Sequence, residues 1–76
     1  MKFKLGDMVV LTDESKIYFL RSGELSPIFV VSMLHPLHVY GYKLGEKPNT
    51  KILILESRYR LATETEVKIF KLKNLF

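Results

Sequence analysis

The residue types that do chemistry are present in this chain, but their spacing is sparse. His35 and His38 stand either side of Pro36-Leu37. Two imidazoles at that separation reach one metal ion, yet a zinc site takes three or four ligands. Neither carboxylate nor third histidine accompanies them, so the spacing predicts two surface histidines at a bend. Asp7, Asp13 and Glu14 lie near one another without a base or nucleophile beside them. Carboxylate chemistry of the glycosidase kind needs two such groups across a cleft, and a solvated loop explains these three. Ser15, Ser22, Ser26, Ser32 and Ser57 stand in no nucleophile motif. The glycines form no phosphate-cradling loop. The residues predict a non-enzymatic protein with no catalytic site, no metal and no cofactor.

Two constellations remain. One is basic and aromatic. Lys43, Lys47, Lys51, Arg58 and Arg60 outnumber Glu46 and Glu56 over residues 38–60, and Tyr40, Tyr42 and Tyr59 lie among them. Aromatic faces stack on bases while Lys and Arg meet phosphates, a mixture suited to single-stranded nucleic acid. His38, Tyr40 and Tyr42 also alternate onto one face of a strand, where cross-strand packing is the plainer role. The other constellation is an apolar excess. Ile17, Phe19 and Leu20 sit in a polar loop, and on a C-terminal helix Val67 and Phe70 point away from the main apolar stripe while Leu75 lies beside it. Surplus apolar surface of this kind marks an interface, unless the helix lids the core and the loop covers the rest. These residues predict a protein partner or a second copy, with a homodimer or hetero-partner docking through the C-terminal helix.

The elements that carry these residues centre on Pro27-Ile28-Phe29-Val30-Val31-Ser32-Met33-Leu34, the longest apolar run. Odd and even positions are both apolar, which predicts a strand covered on both faces. Residues 3–12 read as a first strand, with Gly6-Asp7 as a bulge or tight bend. Residues 13–26 are turn-rich, with Ile17-Tyr18-Phe19-Leu20 as a short strand or a tucked turn inside them. A fourteen-residue connection is long enough to be packed or functional. Strands follow over 28–34, 38–44 and 51–57, separated by a bend at His35-Pro36-Leu37 and a turn over 45–50. Their closeness in sequence predicts an antiparallel meander. Residues 58–61 are a fifth short strand or a tight turn. Thr63-Glu64-Thr65-Glu66 fits a capping box, with acidic residues in the first turn and Lys68, Lys71 and Lys73 later, as the helix dipole favours. On the helix that follows, Ile69, Leu72 and Phe76 form the stripe expected to face the core.

Phe3-Lys4-Leu5-Gly6-Asp7-Met8-Val9-Val10-Leu11 resembles the opening of small SH3-like barrels, including KOW-type domains. Glu56-Ser57-Arg58-Tyr59-Arg60-Leu61-Ala62-Thr63-Glu64-Thr65-Glu66 looks like the end of many short SH3-like proteins, where a final strand runs into a Leu-Ala-Thr helix start. Together these stretches cover about a quarter of the 76 residues. The resemblance implies a mainly β, α+β fold: a small SH3-like antiparallel barrel of four to five strands with a C-terminal helix from about residue 63. An open antiparallel sheet with the helix across one face is the alternative. It further implies an accessory role, binding a host factor in the manner of short phage- or prophage-encoded proteins. Barrels of this kind bind nucleic acid, peptides or proteins.

Composition sets the outer bounds. Seventy-six residues predict one domain with a small core. The hydrophobic share of 47% argues against disorder, and the absence of cysteine excludes disulfides and thiolate metal sites. A net charge of +4 permits nucleic acid or an acidic partner without requiring either. No apolar run approaches the ~20 residues of a membrane span. The opening residues lack a signal-peptide core. The expectation is a soluble cytoplasmic protein.

Overall fold

The computed structural model describes residues 2–21 and 26–74. Five strands form one antiparallel sheet: β1 (Met8–Leu11), β2 (Phe29–His35), β3 (His38–Lys43), β4 (Ile52–Ile54) and β5 (Tyr59–Leu61). Helix α1 (Asp13–Phe19) follows β1, a 3-10 turn (Glu56–Arg58) precedes β5, and helix α2 (Glu64–Asn74) follows it. The order across the sheet is β4-β3-β2-β1-β5. β2, β3 and β4 form the expected meander, and β2 is the central strand. β4 and β5 do not pair, so the sheet stays open rather than closing into a barrel.

β2 is apolar on alternate faces because the sheet has a core on both sides. On one side Phe3, Val9, Phe29, Val31, Val39 and Ile54 pack together, joined by Ile52 and Tyr59. On the other, Val10, Ile28 and Phe70 pack with Met8, Leu44, Ala62 and Val67. Only the first half of β2 is covered in this way; Ser32, Leu34 and His35 are exposed. The ladder shifts register between Val31 and Met33, so Val31 faces Gly41 and Met33 faces Tyr40.

The first strand is shorter than expected. A turn over residues 4–7 precedes it, in which the Asp7 amide donates to the Lys4 carbonyl (3.1 Å) and the Lys4 amide donates to Asp7 Oδ2 (2.8 Å). Gly6 holds φ at +86° in the third position of that turn, a conformation that favours glycine.

Ile17, Phe19 and Leu20 do not form a strand. Thr12 caps α1: its Oγ1 accepts from the Ser15 amide at 3.2 Å, and Asp13 and Glu14 occupy the first turn. That cap and the favourable dipole interaction decide a stretch whose apolar run fits strand and helix alike. Ser22 and Gly23, read as part of the same loop, lie outside the described residues.

The capping box at α2 forms as expected. The Glu66 amide donates to Thr63 Oγ1 (3.1 Å), and the Thr63 amide donates to Glu66 Oε1 (2.9 Å). The face of α2 that docks is the opposite of the expected one. Phe70 is buried at 6% exposure, whereas Ile69 and Leu72 are 42% and 76% exposed. Arg60 on β5 explains the rotation. Its guanidinium donates to both carboxylate oxygens of Glu66, at 2.7 and 2.8 Å. Positions 66, 67 and 70 share one helical face, so tethering Glu66 to β5 turns Val67 and Phe70 onto the sheet. Val67 and Phe70 are therefore core residues and not an exposed interface. Leu75, the third member of that candidate set, lies outside the described residues, as does Phe76.

Candidate functional site

The basic and tyrosine residues do not converge on one surface. His38, Tyr40 and Tyr42 share a face of β3, with the His38 ring 6.1 Å from Tyr40 and 6.4 Å from His35 across the hairpin. Tyr40 pairs with Met33 on one side and Leu53 on the other, and both tyrosines are half-buried, as cross-strand packing requires. Lys43 alternates to the opposite face, opposite Phe29. Lys47 and Lys51 are exposed beyond the end of β3. Arg58, Tyr59 and Arg60 stand at the far edge, with β2 and β1 between them and β3.

Each of those three residues has a local partner. Arg58 lies over the Phe19 ring at 5.1 Å. Tyr59 meets Phe29 edge to face with centroids 5.6 Å apart, and burial pushes its hydroxyl above the ordinary value against the opposing effect of Arg58. Arg60 is held by Glu66. A phosphate backbone would have to displace that carboxylate to reach Arg60.

The Arg60 hydrogen bonds are the largest cause of a Glu66 carboxyl held down from 4.5 to about 2, with burial opposing and the Thr63 amide assisting. A depressed carboxyl stabilises the fold above its unfolded value and loses that contribution as pH falls through the folded one. Glu66→Gln is therefore expected to cost about 1 kcal/mol at neutral pH, since the pair is partly open to solvent. The difference in melting temperature between parent and variant should shrink as pH falls from 4.5 toward about 2. A pH-independent difference in thermal melts would show that the carboxylate charge contributes nothing.

The residues that are both exposed and gathered lie on α1. Ile17 and Tyr18 are each 79% exposed, and Phe19 is 55% exposed. Leu20 is half-buried at the helix end. Tyr18, Phe19, Glu14 and Ser15 form one wall of a groove whose other wall is Ser57 and Arg58 of the 3-10 turn. The walls are fixed to each other. Ser15, buried at 8%, is small enough to seat α1 closely, and the Thr12 amide donates to the Arg58 carbonyl at 3.0 Å. The result is an aromatic and aliphatic ridge with one cation stacked on it. Tyr18 was not among the residues singled out from sequence. A helical reading of residues 12–19, starting from the Thr12 cap, places it beside Ile17 on the outer side.

His35 and His38 remain exposed at the β2–β3 hairpin, and among the described residues no group of three or more metal-ligating side chains gathers. Among the same residues no helix is long and apolar enough to cross a membrane. No family model, curated protein or solved structure matches the chain.

Proposed function

We propose that this chain is a non-enzymatic protein-interaction module that docks a partner on α1 and the adjoining 3-10 turn. The observation that carries this reading is the run Ile17-Tyr18-Phe19, three large side chains in succession exposed on a capped and anchored helix. Ile17 and Tyr18 contribute little to the protomer's own packing, and covering such a surface contributes about 1.5–3 kcal/mol per large side chain. Arg58 beside Phe19 suits a partner that presents apolar side chains next to a carboxylate. The SH3-like reading, in an open form, is supported by a five-strand antiparallel sheet that runs into a C-terminal helix. A cytoplasmic accessory protein binding a host factor fits the same reading.

The test compares the parent with a Tyr18→Glu variant. The substitution is at an exposed position and should leave the melting temperature unchanged. Immobilised parent is expected to retain a protein from a lysate of the source cells that survives nuclease treatment, and Tyr18→Glu is expected to lose at least tenfold of it. Retention that nuclease abolishes would favour nucleic acid on the Tyr40 and Tyr42 face. Retention indifferent to Tyr18→Glu would remove α1 as the docking surface.

A further inference from the structure

The groove between α1 and the 3-10 turn is electrically polarised. On α1, Glu14 and Tyr18 are four residues apart and share one row of the helix surface, and Ser15 and Phe19 form the row beside it. Ser57 and Arg58 make the opposite wall, and the Arg58 guanidinium lies 5.1 Å from the centre of the Phe19 ring. An anion therefore stands at the start of α1 and a cation over its end. Phe19 lies five residues beyond Glu14, which sets the two ends about 7–8 Å apart along the helix axis.

The charges nearby are matched within the protomer, and these two are not. Lys16 pairs with Asp13 at 3.6 Å, and Arg60 with Glu66 at 2.7 Å. Among the described residues neither Glu14 nor Arg58 is in an ion pair. Arg58 is nevertheless held in place. Its amide donates to the Leu55 carbonyl at 2.9 Å, and its carbonyl accepts from the Thr12 amide at 3.0 Å. Ser15 and Ser57 are small, and the walls enclose about 360 Å³ between them. That is the lower end of the range for ligand clefts, enough for a short segment of chain. A nucleic-acid backbone presents anions alone, and Glu14 repels them. A peptide can present both signs.

We propose that the groove reads a peptide segment of the partner in which an acidic and a basic side chain flank a large apolar one; this rests on α1 being the docking surface. The carboxylate meets Arg58, whose planar fork takes both of its oxygens. The apolar side chain lies on Phe19 and Tyr18, and the basic group meets Glu14. In an extended segment the first and third residues stand about 7 Å apart, the spacing of the two charged ends. Glu14 and Arg58 thereby fix the direction in which the segment lies.

Nuclear magnetic resonance titrations with blocked tripeptides test the proposal. Acetyl-Glu-Phe-Lys-amide is expected to shift the amide signals of residues 14–19 and 57–58. Replacing its Glu or its Lys by Gln should each weaken binding about two- to fivefold, as for exposed ion pairs. Arg58→Glu should invert the preference toward Lys-Phe-Lys, and Glu14→Lys should invert it toward Glu-Phe-Glu. Thermal melts confirm that each variant is folded, and Glu14→Lys alone decides the matter if Arg58→Glu does not fold. Equal binding of charged and neutral peptides, shifts outside the groove, tighter binding of a single-stranded oligonucleotide, or a doubling of mass that Arg58→Glu abolishes would each overturn the proposal. Peptides that bind without regard to charge, while lysate retention still requires Tyr18, overturn the charge reading and leave α1 as the docking surface. Failure of α1 itself shows separately, as retention indifferent to Tyr18→Glu.

Discussion

Phe70→Ala is expected to cost about 3–5 kcal/mol of unfolding free energy and to release α2 from the sheet. Phe70 is the only residue of α2 that is fully buried, and it fills the space between Val10 and Ile28, each 1% exposed. Truncation removes the ring from a cluster of three buried residues and leaves a void that Met8, Leu44, Ala62 and Val67 only partly border. A domain of this size is stable by about 4–11 kcal/mol in total, so the loss is a large share of it. Leu72→Ala provides the comparison. Leu72 points to solvent, and its truncation is expected to stay within about 0.5 kcal/mol. Urea titrations of the two variants against the parent decide which stripe of the helix docks. Equal costs, or a larger cost at Leu72, would mean that the Ile69–Leu72 stripe faces the sheet and that the Arg60–Glu66 tether does not set the rotation.

That pair of helix stripes shows where the sequence is legible and where it stops. The start of α2 is local, and Thr63 and Glu66 declare it at three residues' separation. Its rotation is not local. Ile69-Leu72 and Val67-Phe70 are comparable apolar pairs, and the choice between them rests on Arg60 of β5, a contact that no helical period contains. Helix α1 was legible in principle from Thr12, Asp13 and Glu14. Four consecutive large apolar residues, 17–20, carry no period of their own and read equally well as a strand. The central position of β2 follows from its apolar character on both faces, and the meander from short connections. The basic and tyrosine set failed as a surface for a topological reason. Residues 38–60 are continuous in the chain, but after β4 the chain crosses to pair with β1 at the opposite edge. Nearness in sequence therefore overstated nearness in space by the width of two strands.

Gly41→Ala is expected to destabilise the protein by about 1–3 kcal/mol, although a glycine inside a strand ordinarily favours replacement by alanine by about 0.5–1 kcal/mol. The sign of the effect is therefore informative. Gly41 lies in β3 opposite Val31 and Ile52, beside the register shift in β2. A methyl group there would meet the Val30 carbonyl oxygen at less than contact distance and lie 2.6 Å from Ile54 Cδ1. The isoleucine terminus has some freedom to turn, but the carbonyl is backbone in the ladder next door. Moving it means loosening the β2–β3 pairing that bends over Val31, Val39 and Ile54. Close approach of a neighbouring backbone is a recurrent reason for glycine within a strand, and here it lets β2 and β3 pair beside the register shift. Because ~1 kcal/mol corresponds to a shift of about 4–8 °C in a domain this small, thermal melts of the alanine variant give a clear reading. A valine at the same position adds two further carbons to the same contact and should fall lower still. A melting temperature equal to or above the parent's would mean that β2 stands far enough away to admit a side chain.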